Sequence, residues 1–184
     1  MKSSAASAPL VRPSPSQIET LASAIHETYR ELGRRNGWLK SKDDKGFADM
    51  HEPTDLFTPV FDDAKVEAWK KQSNREAALR IPPILARAGL RLESDVSSAP
   101  DALQVRIQIE SLLELLAKTE HTGWMEWHFQ FGWKYNKKRD DKAKLHDQLL
   151  PYHQLNDENK NKDRFQVRHF PEFAAGAKMQ IVFA

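Results

Sequence analysis

The 184-residue sequence predicts a mainly α-helical protein with short β-strands, written as two consecutive copies of one unit. Apolar residues at helical spacing begin just after Ser16. The hexapeptide LASAIH, Leu21 to His26, recurs as LAKTEH, Leu116 to His121, an offset of 95. Gly37-Trp38 and His51 recur at the same offset as Gly132-Trp133 and His146. Further on the offset falls to 89, pairing Arg75 with Arg164, Ile81-Pro82 with Phe170-Pro171, Ile84 with Phe173 and Leu90 with Met179. Matches held at a constant spacing mark a repeat, and the drop in offset marks a shorter loop in the second copy.

The elements follow in order. Residues 1–15 read as a flexible Ser/Ala/Pro tail, 16–93 as the first copy, 94–107 as a linker and 108–184 as the second copy, the two copies forming one domain. Ser16 is the expected N-cap of the first helix, with Glu19 as its capping-box partner. Ile18, Leu21, Ala22, Ile25, Tyr29 and Leu32 form its apolar stripe, and Gly33 and Gly37 are placed to end it. NREAALRI carries the second helix, and IPPILARAGL reads as a short Pro-started helix closed by Gly89. The alternation in LRLE predicts a strand.

LQVRIQIE is ambiguous, since its apolar period of two suggests a strand while its Leu-rich continuation is helical, and it is assigned as a strand or an irregular lead-in. In the second copy Leu113, Leu116, Ala117, Trp124 and Trp127 carry the stripe, and Glu120 breaks it where Ile25 stood. KDRFQVRHF supplies the second helix and MQIVF the strand, while NDENKNKDR reads as a solvated turn and helix start.

Composition narrows the function. Forty per cent apolar and 29% charged residues describe an ordinary globular chain. A net charge of +2 leaves no general attraction for nucleic acid, so that partner is not expected. The absence of cysteine excludes disulfides, thiolate metal sites and a cysteine nucleophile. No apolar stretch approaches membrane-spanning length, and the N-terminus is unlike a signal peptide, so a cytoplasmic location is expected.

In the second copy, His121, Trp124, Gly132-Trp133, Tyr135, Arg139-Asp140, Lys144, His146, Leu149 to Tyr152, Leu155 and Asp163-Arg164 form a composite pattern. The first copy shares it through LASAIHETY, Gly37-Trp38, Asp43-Asp44, His51, Leu56 and Asn74-Arg75. This pattern resembles the ryanodine receptor repeat, the RyR domain, in the tandem form found as stand-alone proteins in prokaryotes and phages. The likeness covers roughly nine-tenths of the chain. Asn136 departs from the family's usual Gly, Asp147 from a frequent Pro, and Leu39 from the Tyr after the first Trp. The resemblance implies a mostly helical module whose two repeats are related by a pseudo-twofold axis. In calcium-release channels such repeats are peripheral regulatory domains, and the small relatives look like sensors of nucleotide-derived ligands, ADP-ribose-type signals included.

Each candidate residue has a structural and a functional reading. Trp38 and Trp133 suit packing anchors, with ring stacking as the alternative, and Tyr135 and Tyr152 are the better stacking candidates. His26 and His121 suit core histidines bonded to carbonyls, whereas His51 and His146 lie in charged loops and can donate to phosphate or ribose. Lys134, Lys137, Lys138 and Arg139 are followed by Asp140 and Asp141, a mixture suited to a small diphosphate: arginine grips phosphate and Asp140 accepts from ribose. Alternatively Arg139 and Asp140 brace their own loop. Arg75 and Arg164 open the second helices against the helix dipole, which points to an inter-repeat salt bridge or an anion contact.

HETYR lacks the second histidine of HExxH, Arg30 standing in its place, and no metal or cofactor is expected. No nucleophile elbow, Walker loop or dinucleotide fingerprint is present, and no enzyme is expected. The expected function is a non-catalytic module binding ADP-ribose, cyclic ADP-ribose or an adenine nucleotide, as a sensor or a sequestering protein. The alternative is an adaptor that docks a partner or effector, or homodimerises, through the aromatic-basic loop.

Overall fold

The structure is a computed structural model that describes residues 11–35, 61–64, 66–94 and 101–184. Gly37, Trp38, Leu39, Asp43-Asp44, His51 and Leu56, with residues 1–10 of the expected tail and 95–100 of the expected linker, lie outside the described residues. The described residues are mainly helical with a few short strands, as the sequence predicts.

Helix α1 spans Pro15–Arg35. Its capping box is Ser14–Gln17 rather than Ser16–Glu19. The Gln17 N–H donates to Ser14 Oγ at 3.3 Å, and the Ser14 N–H donates to Gln17 Oε1 at 2.8 Å. Pro15 explains the shift: its fixed φ and missing N–H favour the first helical position. Glu19 is instead engaged by Arg75. The helix also continues past Gly33 to Arg35, so that glycine does not end it.

Helix α2 (Ala68–Ala86) runs unbroken through Pro82 and Pro83 where a separate short helix was expected. Interior proline costs about 3 kcal/mol. Ile81, Ile84 and Leu85 around it are at most 1% exposed, and burying such side chains returns roughly 1.5–3 kcal/mol each. Packing wins. Gly89, at φ +66°, then turns the chain into β1 (Leu90–Glu93).

Helix α3 (Ala102–Ser111) replaces the expected strand or irregular lead-in and begins inside the expected 94–107 linker. Asp101 caps it by accepting from the Gln104 N–H at 3.0 Å. The period of two arises from two i,i+4 pairs on different faces. Val105 and Ile109 are buried, while Leu103 and Ile107 are exposed.

Helix α4 (Leu113–Gln130) leads to a two-residue parallel pair, β2 (Lys134–Tyr135) with β3 (Leu145–His146). A short 3-10 helix (Tyr152–Gln154), α5 (Asp157–Arg168), α6 (Phe170–Gly176) and β4 (Gln180–Phe183) complete the chain. Here the helical run does break, at His169, with Pro171 in the first turn of α6.

Helix α1 packs on α2, α4 packs on α5, and α2 crosses to α4, so two helix pairs meet side by side. The core between them holds Leu21, Ile81, Leu85, Leu116, Val167, Phe170 and Phe173. Strands β1 and β4 pair antiparallel and join the ends of the two halves. Their register places Leu92 opposite Ile181. Those residues are themselves 89 apart, the offset that relates the two second helices.

Candidate functional site

The meeting of the helix pairs leaves a cavity of about 180 Å³. Ile25, His26 and Tyr29 of α1 and Trp69, Asn74 and Arg80 of α2 line one side. Glu120, His121, Trp124 and His128 of α4 line the other, with Lys162, Asp163 and Gln166 of α5. Arg139, His146 and Gln148 also line it.

The walls repeat the sequence offsets. Ile25 and Glu120, His26 and His121, and Tyr29 and Trp124 are each 95 apart, and both members of each pair line the cavity. The same holds at 89 for Ser73 and Lys162, Asn74 and Asp163, and Ala77 and Gln166. In all but the histidine and aromatic pairs the second half carries the more polar or more charged member. The Asn74 amide lies 3.1 Å from His26 Nδ1, and at the equivalent place the Asp163 carboxylate lies 3.2 Å from His121 Nδ1.

His121 is held at both nitrogens, since its Nε2 lies 2.8 Å from the Leu150 carbonyl. Burial opposes its charge, but Asp163 and the carbonyl outweigh burial and raise its pKa. Burial pushes Asp163 up as well. With acceptors at both ring nitrogens, His121 is the partner that keeps the proton. Glu120, the residue that broke the apolar stripe, is 2% exposed and carries a bidentate pair from Arg80. Burial lowers the Lys162 pKa, against the pull of Asp147 and Glu158.

His128 and His146 share the Trp124 ring, their centroids 4.2 and 5.0 Å from it. Burial lowers the His128 pKa to about 4 and that of His146 to about 2, with Arg139 adding to both shifts. The carboxylate of Asp147 comes within 3.4 Å of His146 Nδ1. This is not an ion pair, because that nitrogen accepts from the Gln148 N–H and the ring is neutral.

Two of the residues expected from sequence, Arg139 and His146, line the cavity. The others fall elsewhere. Trp133 is 4% exposed and packs against Trp69 and His128, so its packing role holds. Tyr152 is 8% exposed, its hydroxyl donates to Glu114 at 3.2 Å, and burial raises its pKa to about 12. Tyr135, Lys137 and Asp140 are exposed and are not among the cavity's residues. Asp140 accepts from the Ala143 N–H, and Arg139 braces its loop through Asp141 rather than Asp140. Arg75 pairs with Glu19 and Arg164 with Glu114, bonds between the two helices of one half and not between halves. Glu19 and Glu114 are themselves 95 apart.

Sequence reasoning missed Trp69, Arg80, Trp124, His128, Lys162, Asp163 and Gln166 as cavity residues. The available signal was Glu120: a carboxylate inside an apolar stripe requires a buried cation. Lys162 and Asp163 were hidden in a charge-rich run that reads as surface.

What the fold and cavity define is a helical module with a polar, aromatic-walled cavity between two helix pairs. Over residues 100–181 the chain matches the family model described as RyR domain. The match opens just before α3 and extends into β4, so it takes in the charged wall of the cavity. Among the described residues no helix is long and apolar enough to cross a membrane.

Proposed function

We propose that this protein is a non-catalytic binding module holding a small anionic, nucleotide-derived ligand in the cavity between the helix pairs. The observation that carries this is the cavity's lining. Tyr29, Trp69 and Trp124 offer ring faces, and the cations Lys70, Arg80, Arg139 and Lys162 outnumber the carboxylates Glu120 and Asp163. Stacking on an aromatic side chain contributes about 1–3 kcal/mol per base, and arginine suits phosphate.

Sites for whole drug-sized ligands run to about 300–1,000 Å³. The cavity's 180 Å³ suits one ring system, with phosphate left toward Arg139, whose side chain stays 26% exposed. Ring stacking thus moves from Tyr135 and Tyr152 to Trp124, Tyr29 and Trp69, and His146 keeps the ligand role first assigned to it. Leu92 facing Ile181, and equivalent residues facing one cavity, support two copies about a twofold axis. Such a module acts as a sensor or as a sink for a cytoplasmic signal.

Calorimetry with ADP-ribose, cyclic ADP-ribose, NAD and ATP tests the proposal. Saturable binding of at least one is expected, and failure of all at millimolar concentration would overturn it. A second role, docking a partner or a second copy through the aromatic-basic loop, draws on the exposure of Phe131 and Tyr135, 50% and 44%. Light scattering that shows a dimer lost on Tyr135→Ala would favour it.

A further inference from the structure

We propose that His128 and His146 form a fixed acceptor–donor pair that selects a ring carrying both an N–H donor and an acceptor, such as an amino-substituted heterocycle or a ring carboxamide. This deepens the ligand assignment above and rests on it. The two tautomers are set by the backbone. His128 Nδ1 lies 2.9 Å from the Trp124 carbonyl, which only accepts, so Nδ1 carries the hydrogen and Nε2 presents a lone pair. His146 Nδ1 accepts from the Gln148 N–H at 3.0 Å, so the hydrogen sits on Nε2. Neither Nε2 has a hydrogen-bond partner among the described residues.

Both rings line the cavity, with centroids 6.1 Å apart and planes at 69°. The two rings are 2% and 5% exposed, so little of either beyond its cavity-facing edge meets solvent. Burial, reinforced by nearby arginines, keeps both neutral. A third group adds to the pattern: the Gln166 amide nitrogen is buried in the same wall with no partner among the described residues. An unmatched buried donor costs about 1–3 kcal/mol. The wall therefore offers two donors and one acceptor, and its complement has one donor and two acceptor positions. Adenine-type and carboxamide-bearing rings have that complement. A ring edge with acceptors alone sets its lone pairs against His128 Nε2.

The test compares ATP with purine riboside 5′-triphosphate, which lacks the amino group, and nicotinamide mononucleotide with nicotinic acid mononucleotide, whose carboxylate lacks the donor. It is made first on the unaltered protein, so it does not depend on any variant folding. A preference of about tenfold or more for the donor-bearing member of either pair is expected, and His128→Phe should abolish that preference. Absence of a preference in both pairs, through equal binding or none, overturns the histidine assignment. In that event the ligand proposal itself stands if any nucleotide of the earlier calorimetry binds, and falls with it if none does. A preference that survives unchanged in a folded His128→Phe protein also overturns the assignment.

Discussion

Arg80 of α2 reaches Glu120 of α4 through two hydrogen bonds, Nη2 to Oε1 at 2.6 Å and Nε to Oε2 at 3.1 Å. The carboxylate side chain is 3% exposed and that of the arginine 16%. A buried pair contributes little net stability, because desolvation offsets the attraction, but breaking it strands a charge. Arg80→Ala should therefore cost about 3–5 kcal/mol in urea unfolding. Arg80→Met combined with Glu120→Leu should cost much less. Equal losses in the two proteins would contradict this account of the pair.

Gly123 lies under that arginine. Helix propensity alone makes alanine better there by about 1 kcal/mol. An added Cβ, however, would overlap Arg80 Cδ and crowd Nε, the part of the side chain held by Glu120. Gly123→Ala should therefore destabilise, and in an Arg80→Met, Glu120→Leu background it should become neutral or favourable. Thermal melts of the paired variants decide the sign.

Stability should fall as the solution becomes mildly acidic. Unfolded histidines titrate near 6.5, while folded His128 and His146 titrate at about 4 and about 2. Below 6.5 the unfolded chain takes up protons that these two rings refuse, at a cost of up to about 1.4 kcal/mol per pH unit for each. His121, with its raised pKa, contributes stability that is complete below 6.5 and is lost as pH rises through its folded value. That gain is complete by 6.5, so it does not offset the slope below that pH. Glu19, Glu110 and Glu114, lowered chiefly by hydrogen bonds from Arg75, Arg168 and Arg164, add their losses only below 4.5. Urea midpoints between pH 7 and 5 should drop, and His146→Asn should shrink the drop. A flat profile would argue against neutral buried histidines.

The outer ion pairs should matter little. Glu19 and Glu114 are 50% and 61% exposed, so Arg75→Ala and Arg164→Ala should each change stability by about 0–1 kcal/mol. Neither should alter nucleotide affinity in calorimetry. A loss of binding on Arg164→Ala would return that arginine to the ligand.

The ligand proposal separates the cavity from the loop's outer face. Trp124→Ala and Arg139→Ala should weaken binding about tenfold or more, whereas Tyr135→Ala and Lys137→Ala should leave it unchanged. The reverse pattern would move the site to the loop surface.

Much of the fold was legible because it rests on local rules. The apolar stripe of α1 and the alternation in β1 report which face is buried, and the offset of 95 exposed the family pattern over α4 and its loop. The cap of α1 was misplaced by two residues because Ser16-Glu19 satisfies the same sequence rule as Ser14-Gln17. Only the proline and Glu19's attraction to Arg75 separate them.

By itself the sequence determined the mainly helical class and the RyR pattern over residues 100–181. Tertiary structure decided the rest. It made a helix of an alternating segment by burying Val105 and Ile109 alone, and it carried α2 through two prolines because the surrounding isoleucines and leucine are buried. It also turned a charged run into a cavity wall, since the polarity of Lys162 and Asp163 is readable in sequence but their burial is not. Burial depends on what packs opposite, and for these residues that is α4, from a different part of the chain. The cavity lies where two helix pairs fail to close completely, a property of their meeting that neither pair holds alone.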